Sequence, residues 1–377
     1  MDDVVTLPDS TARLRKVYDA PRARVLVTGI DGYIGSVLAW RLIDAGYAVD
    51  GLDTRFYQSG CLFHDGRDQV RIICRDVRNV TVSDLRGYDA VVHLAELSND
   101  PLCEFDESAT YDINHKGSVA LAQKAKAAGV KRFVYASSCS VYGAAGAEEK
   151  SERSDVNPQT AYARCKVLVE RDVSELKDRS FAPTFLRNAT AFGASPRMRF
   201  DIVLNNLAGL AWTTKCIKMT SDGTPWRPLV HIQDISDAII GVLDAPVDAV
   251  WGEIFNVGSD EQNYRVRDIV DTVATVFTGC SVEVGKSGGD NRSYRVSFKK
   301  IREHLPSYRC RWDARSGAAE LYAIFEQIAM SDGVFNAPPY TRLKQLRYLM
   351  TTHQVDAGLF WRTPTLVRPE TPAKAAG

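Results

Sequence analysis

Residues 24–35 read Arg24-Val25-Leu26-Val27-Thr28-Gly29-Ile30-Asp31-Gly32-Tyr33-Ile34-Gly35, an apolar run that breaks into glycines and re-enters a helical pattern. Arg24 to Thr28 is a strand candidate, and Tyr33 to Gly46 reads as a helix ended by glycine. Gly29, Gly32 and Gly35 permit a tight turn and let backbone approach a ligand closely. The helix start behind them offers free N–H groups and partial positive charge, a setting suited to a pyrophosphate. A glycine turn alone is common; between a strand and a helix it is specific.

Working outward, Ala48 to Asp53 is a second strand, and Asp53 lies about 20 residues beyond the glycines. A carboxylate there accepts hydrogen bonds from both ribose hydroxyls and repels a 2′-phosphate, which favours NAD over NADP. Arg55 pulls the other way. Further strands are expected at Val70 to Asp76, Ala90 to Ala95 and Arg132 to Ser137, with a helix from Asn114 to Ala128. Asp76-Val77 ends the third strand, where it would flank adenine. This alternation implies an α/β fold, a Rossmann-type doubly wound parallel sheet.

The second half is less regular. Phe192 to Trp226 mixes apolar and polar residues with loop chemistry at GASPRMRF and SDGTPWRP. A strand (PLVHI), a helix from Asp234 to Leu243 and a strand (EIFNVG) follow, then helical stretches AAELYAIFEQIAM and TRLKQLRYLM. The expected division is an NAD-binding domain over 1–186 and a smaller mixed α/β substrate domain over 187–377 with a helical C-terminal extension. Segments around 228–257 are candidates to return to the first sheet.

Lys+Arg and Asp+Glu balance at 47 each, so no charge excess argues for nucleic acid or a membrane surface. The 8 cysteines form no CxxC pair, and no metal site is expected. The N-terminal residues lack the apolar run of a signal peptide, which points to a cytoplasmic protein.

Tyr162-Ala163-Arg164-Cys165-Lys166 sets a tyrosine and a lysine at i and i+4, on one helix face. A free phenol is a poor base at neutral pH. Bringing it down by about 3 pH units takes roughly 4 kcal/mol, which a close ammonium and a nicotinamide cation in a dry site would supply. Lys166 can also hold the nicotinamide ribose. Ser137-Ser138 closes the fifth strand, at the sheet edge where such folds bind ligands.

With these residues in view, the chain resembles an extended short-chain dehydrogenase/reductase of the NAD-dependent nucleotide-sugar epimerase/dehydratase family, typified by UDP-glucose 4-epimerase. TGIDGYIG, RDVRN, HLA, FVYASSCSVYG, YARCK, NNL and PLVHIQD occur in the family's order over roughly Arg24 to Lys300. The resemblance implies a nucleotide-diphosphate sugar as substrate and a homodimer formed by two helices per subunit. It gives Ser138, Tyr162 and Lys166 catalytic roles, with Cys139 and Ser140 as further candidates. It lines the cofactor with Gly29, Gly32, Tyr33, Ile34, Gly35, Asp53, Thr54, Asp76, Val77, Leu94, Ala95, Tyr162, Lys166 and Ala189.

For the substrate, the resemblance points to Ser98, Ser138, Asn206 and Arg227. In Leu186-Arg187-Asn188-Ala189-Thr190, Thr190 stands where the family often has a diphosphate-binding asparagine, and strand alternation turns Asn188 elsewhere. A second diphosphate arginine is assigned to Arg292, near Lys286, Ser287 and Asp290; Arg197 and Arg199 are further candidates.

Dehydratases of this family place Thr-Asp-Glu where this chain has Ser138-Cys139-Ser140, so elimination through that pair is disfavoured. Redox-neutral epimerisation at C4, with hydride returned from tightly bound NADH, is the expected reaction. The alternatives are a dehydratase or 3-/5-epimerase using Cys139, an NAD(P)H-dependent keto-sugar reductase, and a silent NAD-binding scaffold.

Overall fold

The computed structural model describes residues 20–64, 70–98, 100–219, 221–285 and 293–362. Seven parallel strands form the main sheet: β1 (Arg24–Thr28), β2 (Ala48–Asp53), β3 (Ile72–Cys74), β4 (Ala90–His93), β5 (Arg132–Ser138), β6 (Ala182–Asn188) and β7 (Ile254–Val257). Their order is β7-β6-β5-β4-β1-β2-β3. The direction of winding reverses between β1 and β4, which opens a crevice at their carboxyl ends.

Helix α1 (Gly35–Asp44) buries Leu38, Ala39 and Leu42 against one face of the sheet and stops before Gly46, which takes φ +91°. Helix α2 (Ser118–Ala127) continues a π-helical turn over Tyr111–Gly117 and covers the other face. Helix α3 (Ala161–Ser174) lies beside it, started by Thr160, whose hydroxyl accepts from the Ala163 N–H at 3.2 Å. Its buried face mixes Ala163, Val169 and Val173 with Lys166 and Glu170. Polar groups facing a core need partners, and both have them.

The chain leaves the main sheet at Asn188 and enters a second one at Thr190. There Thr190–Phe192 pairs with Trp226–His231, which pairs in turn with Asn263–Arg265. Helices Val203–Thr214, Val266–Val276 and Ala314–Gln327 pack together around a separate core. The stretch 228–257 divides: Trp226–His231 stays with the second sheet, while Ile254–Val257 joins β6 and helix Ile232–Asp244 packs on α1.

Helix Val203–Thr214 falls between the two loop stretches, in sequence that read only as mixed apolar and polar. Leu204, Leu207, Ala208 and Ala211 have helical spacing and are buried, but Asn205 and Asn206 interrupt the pattern. The C-terminal helix Arg342–Thr351 and the chain to Trp361 fold back over the first sheet's helices, adding Leu346, Leu349, Val355 and Leu359 to that core. Arg78 anchors this return: its guanidinium lies 3.7 Å from the Phe360 ring centre and donates to Gly358 O at 2.8 Å.

Candidate active site

A cleft of about 750 Å³ runs along the carboxyl ends of the main sheet and down toward the second sheet. At its start, Gly29 takes φ +74°, and a Cβ there would meet Ala95 N at 2.7 Å. A Cβ on Gly35 would meet Gly29 O at 2.2 Å. Only glycine lets α1, the turn and the β4 loop approach this closely. Gly29, Gly32, Tyr33, Ile34 and Gly35 all line the cleft. Tyr33 is pinned from behind: its hydroxyl donates to Gly193 O at 2.7 Å and accepts from Asn205 Nδ2 at 3.0 Å.

Asp53 ends β2 on the cleft wall. Its carboxylate accepts the backbone N–H groups of Asp31 at 3.0 Å and Arg55 at 2.6 Å. Desolvation nevertheless pushes it up to about 6, against the lowering effect of those bonds. Arg55 turns to Asp31, with Nε 3.5 Å from Oδ2. Thr54, Asp76, Val77, Leu94, Ala95 and Ala189 line the cleft as well. Asp76 is occupied by Arg78, through Nη2 at 2.7 Å, so its carboxylate holds the turn that presents Val77.

Beyond the β5 end, Ser138, Ser140, Tyr162 and Lys166 line the cleft. Ser138 Oγ accepts the Ser140 N–H at 3.1 Å, which leaves its own hydrogen free to point at a ligand. Lys166 Nζ lies 5.2 Å from the Tyr162 ring centre. Burial raises the Tyr162 phenol, and the Lys166 charge lowers it by less. Lys166 acts in the expected, lowering sense, and Glu96, paired with its ammonium, acts against it. Glu96 was missed in the sequence, although it directly follows Leu94-Ala95.

Cys139 turns the other way. It is fully buried, outside the cleft lining, and its thiol donates to Arg187 O at 3.1 Å. Burial pushes that thiol well above its ordinary range. Beneath the turn, Arg187 pairs with Glu170 at 2.7 Å and donates to the Tyr142 hydroxyl at 3.0 Å, and Glu170 also accepts the Ser137 hydroxyl.

Toward the second sheet the cleft is lined by Ser98, Thr190, Asn206, Arg227 and Tyr294. Asn206 Nδ2 donates to Phe200 O at 2.9 Å, and Arg227 Nη1 donates to Trp226 O at 2.8 Å. Asn188 also lines the cleft, contrary to the strand-alternation argument; β6 ends at Asn188, so its pleat no longer dictates the side chain's direction. Arg197 is diverted: it pairs with Asp31 at 2.7 Å and donates to Gly60 O at 2.7 Å, away from the cleft lining. Arg199 remains on the wall, joined by Arg342 from the C-terminal helix, which the sequence reading did not single out. Arg292, with Lys286, Ser287 and Asp290, lies outside the described residues.

A model of the NAD dependent epimerase/dehydratase family matches residues 25–258. The chain belongs to this family. The UDP-glucose 4-epimerase of Mycolicibacterium smegmatis is 32% identical over 251 residues, 63% of this chain and 77% of that one. The Bacillus subtilis UDP-glucose 4-epimerase is 24% identical over 328 residues, 79% of this chain and 94% of that one. Among solved structures, MoeE5 in complex with UDP-glucuronic acid and NAD superposes with a TM-score of 0.71 at 26% identity, covering 81% of this chain and 99% of that one. DesIV, a dTDP-glucose 4,6-dehydratase from Streptomyces venezuelae with NAD and TYD bound, gives 0.71 at 25%, covering 81% and 97%.

The chain is thus an NAD-dependent enzyme, and its residues fit that cofactor. The glycine turn brings backbone to the cleft surface, Asp53 ends β2 on the cleft wall, and Lys166 and Tyr162 line the cleft as well. Among the described residues, no group of three or more His, Cys, Asp or Glu is placed to hold a metal, and no helix is long and apolar enough to cross a membrane.

Proposed function

We propose that the enzyme inverts C4 of a nucleotide-linked sugar through a 4-keto intermediate. One observation carries this reading. Beside Ser138, the thiol of Cys139 is turned into the core and position 140 offers only a hydroxyl. Elimination of water needs a second acid–base pair facing the sugar. The other carboxylates along this part of the cleft are engaged: Glu96 with Lys166, Asp201 with Arg199, and Asp100 with the Thr160 hydroxyl.

In this reading Tyr162 takes the proton of the C4 hydroxyl and later returns it. Ser138 hydrogen-bonds the same sugar oxygen and fixes its distance from the phenol. Lys166 keeps a positive charge beside the phenol, which offsets part of the cost of burying phenolate. When bound, NAD would supply the hydride acceptor and donor for this redox-neutral inversion. Arg227 at the mouth of the cleft suits the diphosphate. A homodimer belongs to the same reading, and sedimentation at several concentrations tests it.

Incubation of the purified enzyme with nucleotide sugars in D₂O, read by NMR, tests the reaction. The expected product is the C4 epimer with no deuterium at C3, C4 or C5. A product lighter by one water, or deuterium at C3 or C5, would overturn the proposal.

A further inference from the structure

Two short segments leave the main sheet beside the glycine turn, 54–60 after β2 and 75–79 after β3. Thr54, Phe56 and Tyr57 of the first, and Arg75, Asp76 and Val77 of the second, line the cofactor cleft. The C-terminal extension holds both.

Helix Arg342–Thr351 fastens the first segment. The helix start is fixed by Asp201, whose carboxylate accepts the Arg342 N–H at 3.1 Å. The Arg342 guanidinium sits 4.0 Å from the Tyr57 ring centre, and Gln345 Nε2 donates to Phe56 O at 2.9 Å. Beyond the helix the chain closes a small loop over 354–362. The Asp356 N–H donates to Phe360 O and the Arg362 N–H to Gln354 O, each at 2.9 Å. This loop sets Trp361 beside Phe56, with ring centres 5.6 Å apart, and the indole N–H donates to Thr54 O. It fastens the second segment through Arg78, which donates to Gly358 O and lies against the Phe360 ring.

Both partners carry backbone that only glycine adopts easily: Arg55 and Leu359 each take φ +61°. Such residues persist where their surroundings over-determine them, and they cluster at ligand clamps. Both line a second cavity of about 690 Å³, together with Phe360 and Trp361. Thr54, Arg75 and Asp76 line this cavity and the cofactor cleft alike, so the two spaces adjoin. The cavity's charged groups are engaged: Arg55 with Asp31, Arg75 with Asp84 and Asp76 with Arg78. Aromatic surface remains, with Trp361 36% exposed, beside the amides of Gln58 and Asn79. Such a lining suits a purine better than a phosphate.

We propose that residues 354–362 belong to the cofactor site, with Trp361 and Phe360 forming an outer wall around the adenosine half of NAD. This extension lies beyond the span matched by the family model. It retains the cofactor by contact with the adenosine and by fixing the two segments around it, which lowers the ordering cost of binding. The inference needs only NAD dependence and is indifferent to which sugar carbon reacts.

Exchange of bound NAD for isotopically labelled NAD in the holoenzyme, read by mass spectrometry, tests this. Trp361→Ala should speed exchange at least about tenfold, and Trp361→Phe by less, because a ring remains. Tyr348→Ala alters an exposed position of the same extension and should exchange at the parent rate. An unchanged rate in Trp361→Ala, or equal acceleration in Tyr348→Ala, overturns the proposal. Coupling is reciprocal, so NAD protects the loop as the loop retains NAD. In the parent protein, hydrogen exchange at the Asp356 and Arg362 amides should be slower with NAD bound than after the cofactor is stripped, and ADP alone should restore the protection. Equal rates with and without NAD, or protection restored by nicotinamide mononucleotide but not by ADP, overturn the assignment without recourse to any variant.

Discussion

Lys166 Nζ and Glu96 Oε2 form an ion pair beside the Tyr162 ring, with side chains 5% and 3% exposed. Glu96 also accepts the Tyr135 hydroxyl at 2.6 Å, and Lys166 donates to Ala136 O. Burial raises the Tyr162 phenol most, the ammonium lowers it, and the Glu96 carboxylate opposes that lowering.

Glu96→Gln should therefore shift the rising limb of the kcat/KM profile to lower pH. Removing a negative charge lowers the Tyr162 pKa, and a shift of about one pH unit corresponds to the 1.36 kcal/mol expected of one close charge in a partly screened site. Stability should fall by about 3 kcal/mol, because the buried ammonium loses its partner. An unmoved limb would show that Glu96 only holds Lys166 in place.

Tyr162→Phe should reduce turnover at least about 100-fold while NAD stays bound, since the ring still packs and only the proton carrier is lost. Cys139→Ala is the control from the neighbouring position. Its thiol faces Arg187 O in the core, so turnover should change by less than about twofold and the cost should be about 1 kcal/mol of stability. Turnover and bound-cofactor content on both variants check this. A large turnover loss in Cys139→Ala would put the thiol back among the acid–base groups.

The main sheet was legible because β1, β4 and β5 carry short apolar runs and β1 is closed by the glycine turn, while Tyr162 and Lys166 follow from local spacing. The second region was harder. Strands such as Cys216–Lys218 and Ser281–Glu283 are three residues long and carry little pattern. Two asparagines masked helix Val203–Thr214 because Asn205 is buried for its bonds to Tyr33 and Gly193, not for its polarity. Glu96 and Arg342 escaped for a related reason. Each acts through a partner far away in sequence, Lys166 and Asp201, and no local motif announces such a pair. Arg197 and Arg199 look equivalent in SPRMRFD, yet Asp31 claims one and the cleft keeps the other.

Asp53 sits at the end of β2 with its carboxyl pushed up to about 6 by burial. Ribose hydroxyls donate to the ionised form, so NAD binding should favour loss of that proton. Affinity for NAD is expected to be flat above about pH 7 and to weaken as pH falls below about 6, by up to tenfold per pH unit. Asp53→Asn should flatten this dependence and narrow the preference for NAD over NADP. Titration of cofactor-stripped enzyme between pH 5 and 8 measures both, and a wild-type affinity that ignores pH would refute the assignment.

His93 supplies a stability test that is independent of substrate. Ser118 Oγ donates to Asn114 O at 2.6 Å, so it must accept from His93 Nε2 at 2.8 Å; Nδ1 then accepts the Thr28 hydroxyl at 2.6 Å. This chain ties β1, β4 and α2 together directly under the glycine turn. Burial, then the Lys166 charge, holds the imidazole down to about 3. The unfolded chain binds this proton below about pH 6.5 and the folded one does not. The contribution is thus fully present above about pH 6.5 and is lost as pH falls toward 3, by up to about 5 kcal/mol. Asp53 works in the opposite sense between about 6 and its ordinary range, because its folded form holds a proton more tightly. Wild-type stability in urea should therefore drop more steeply between pH 7 and 4.5 than that of His93→Asn, which retains Asp53 and removes only the imidazole. Parallel curves for the two proteins would mean that His93 takes up its proton without opening the core.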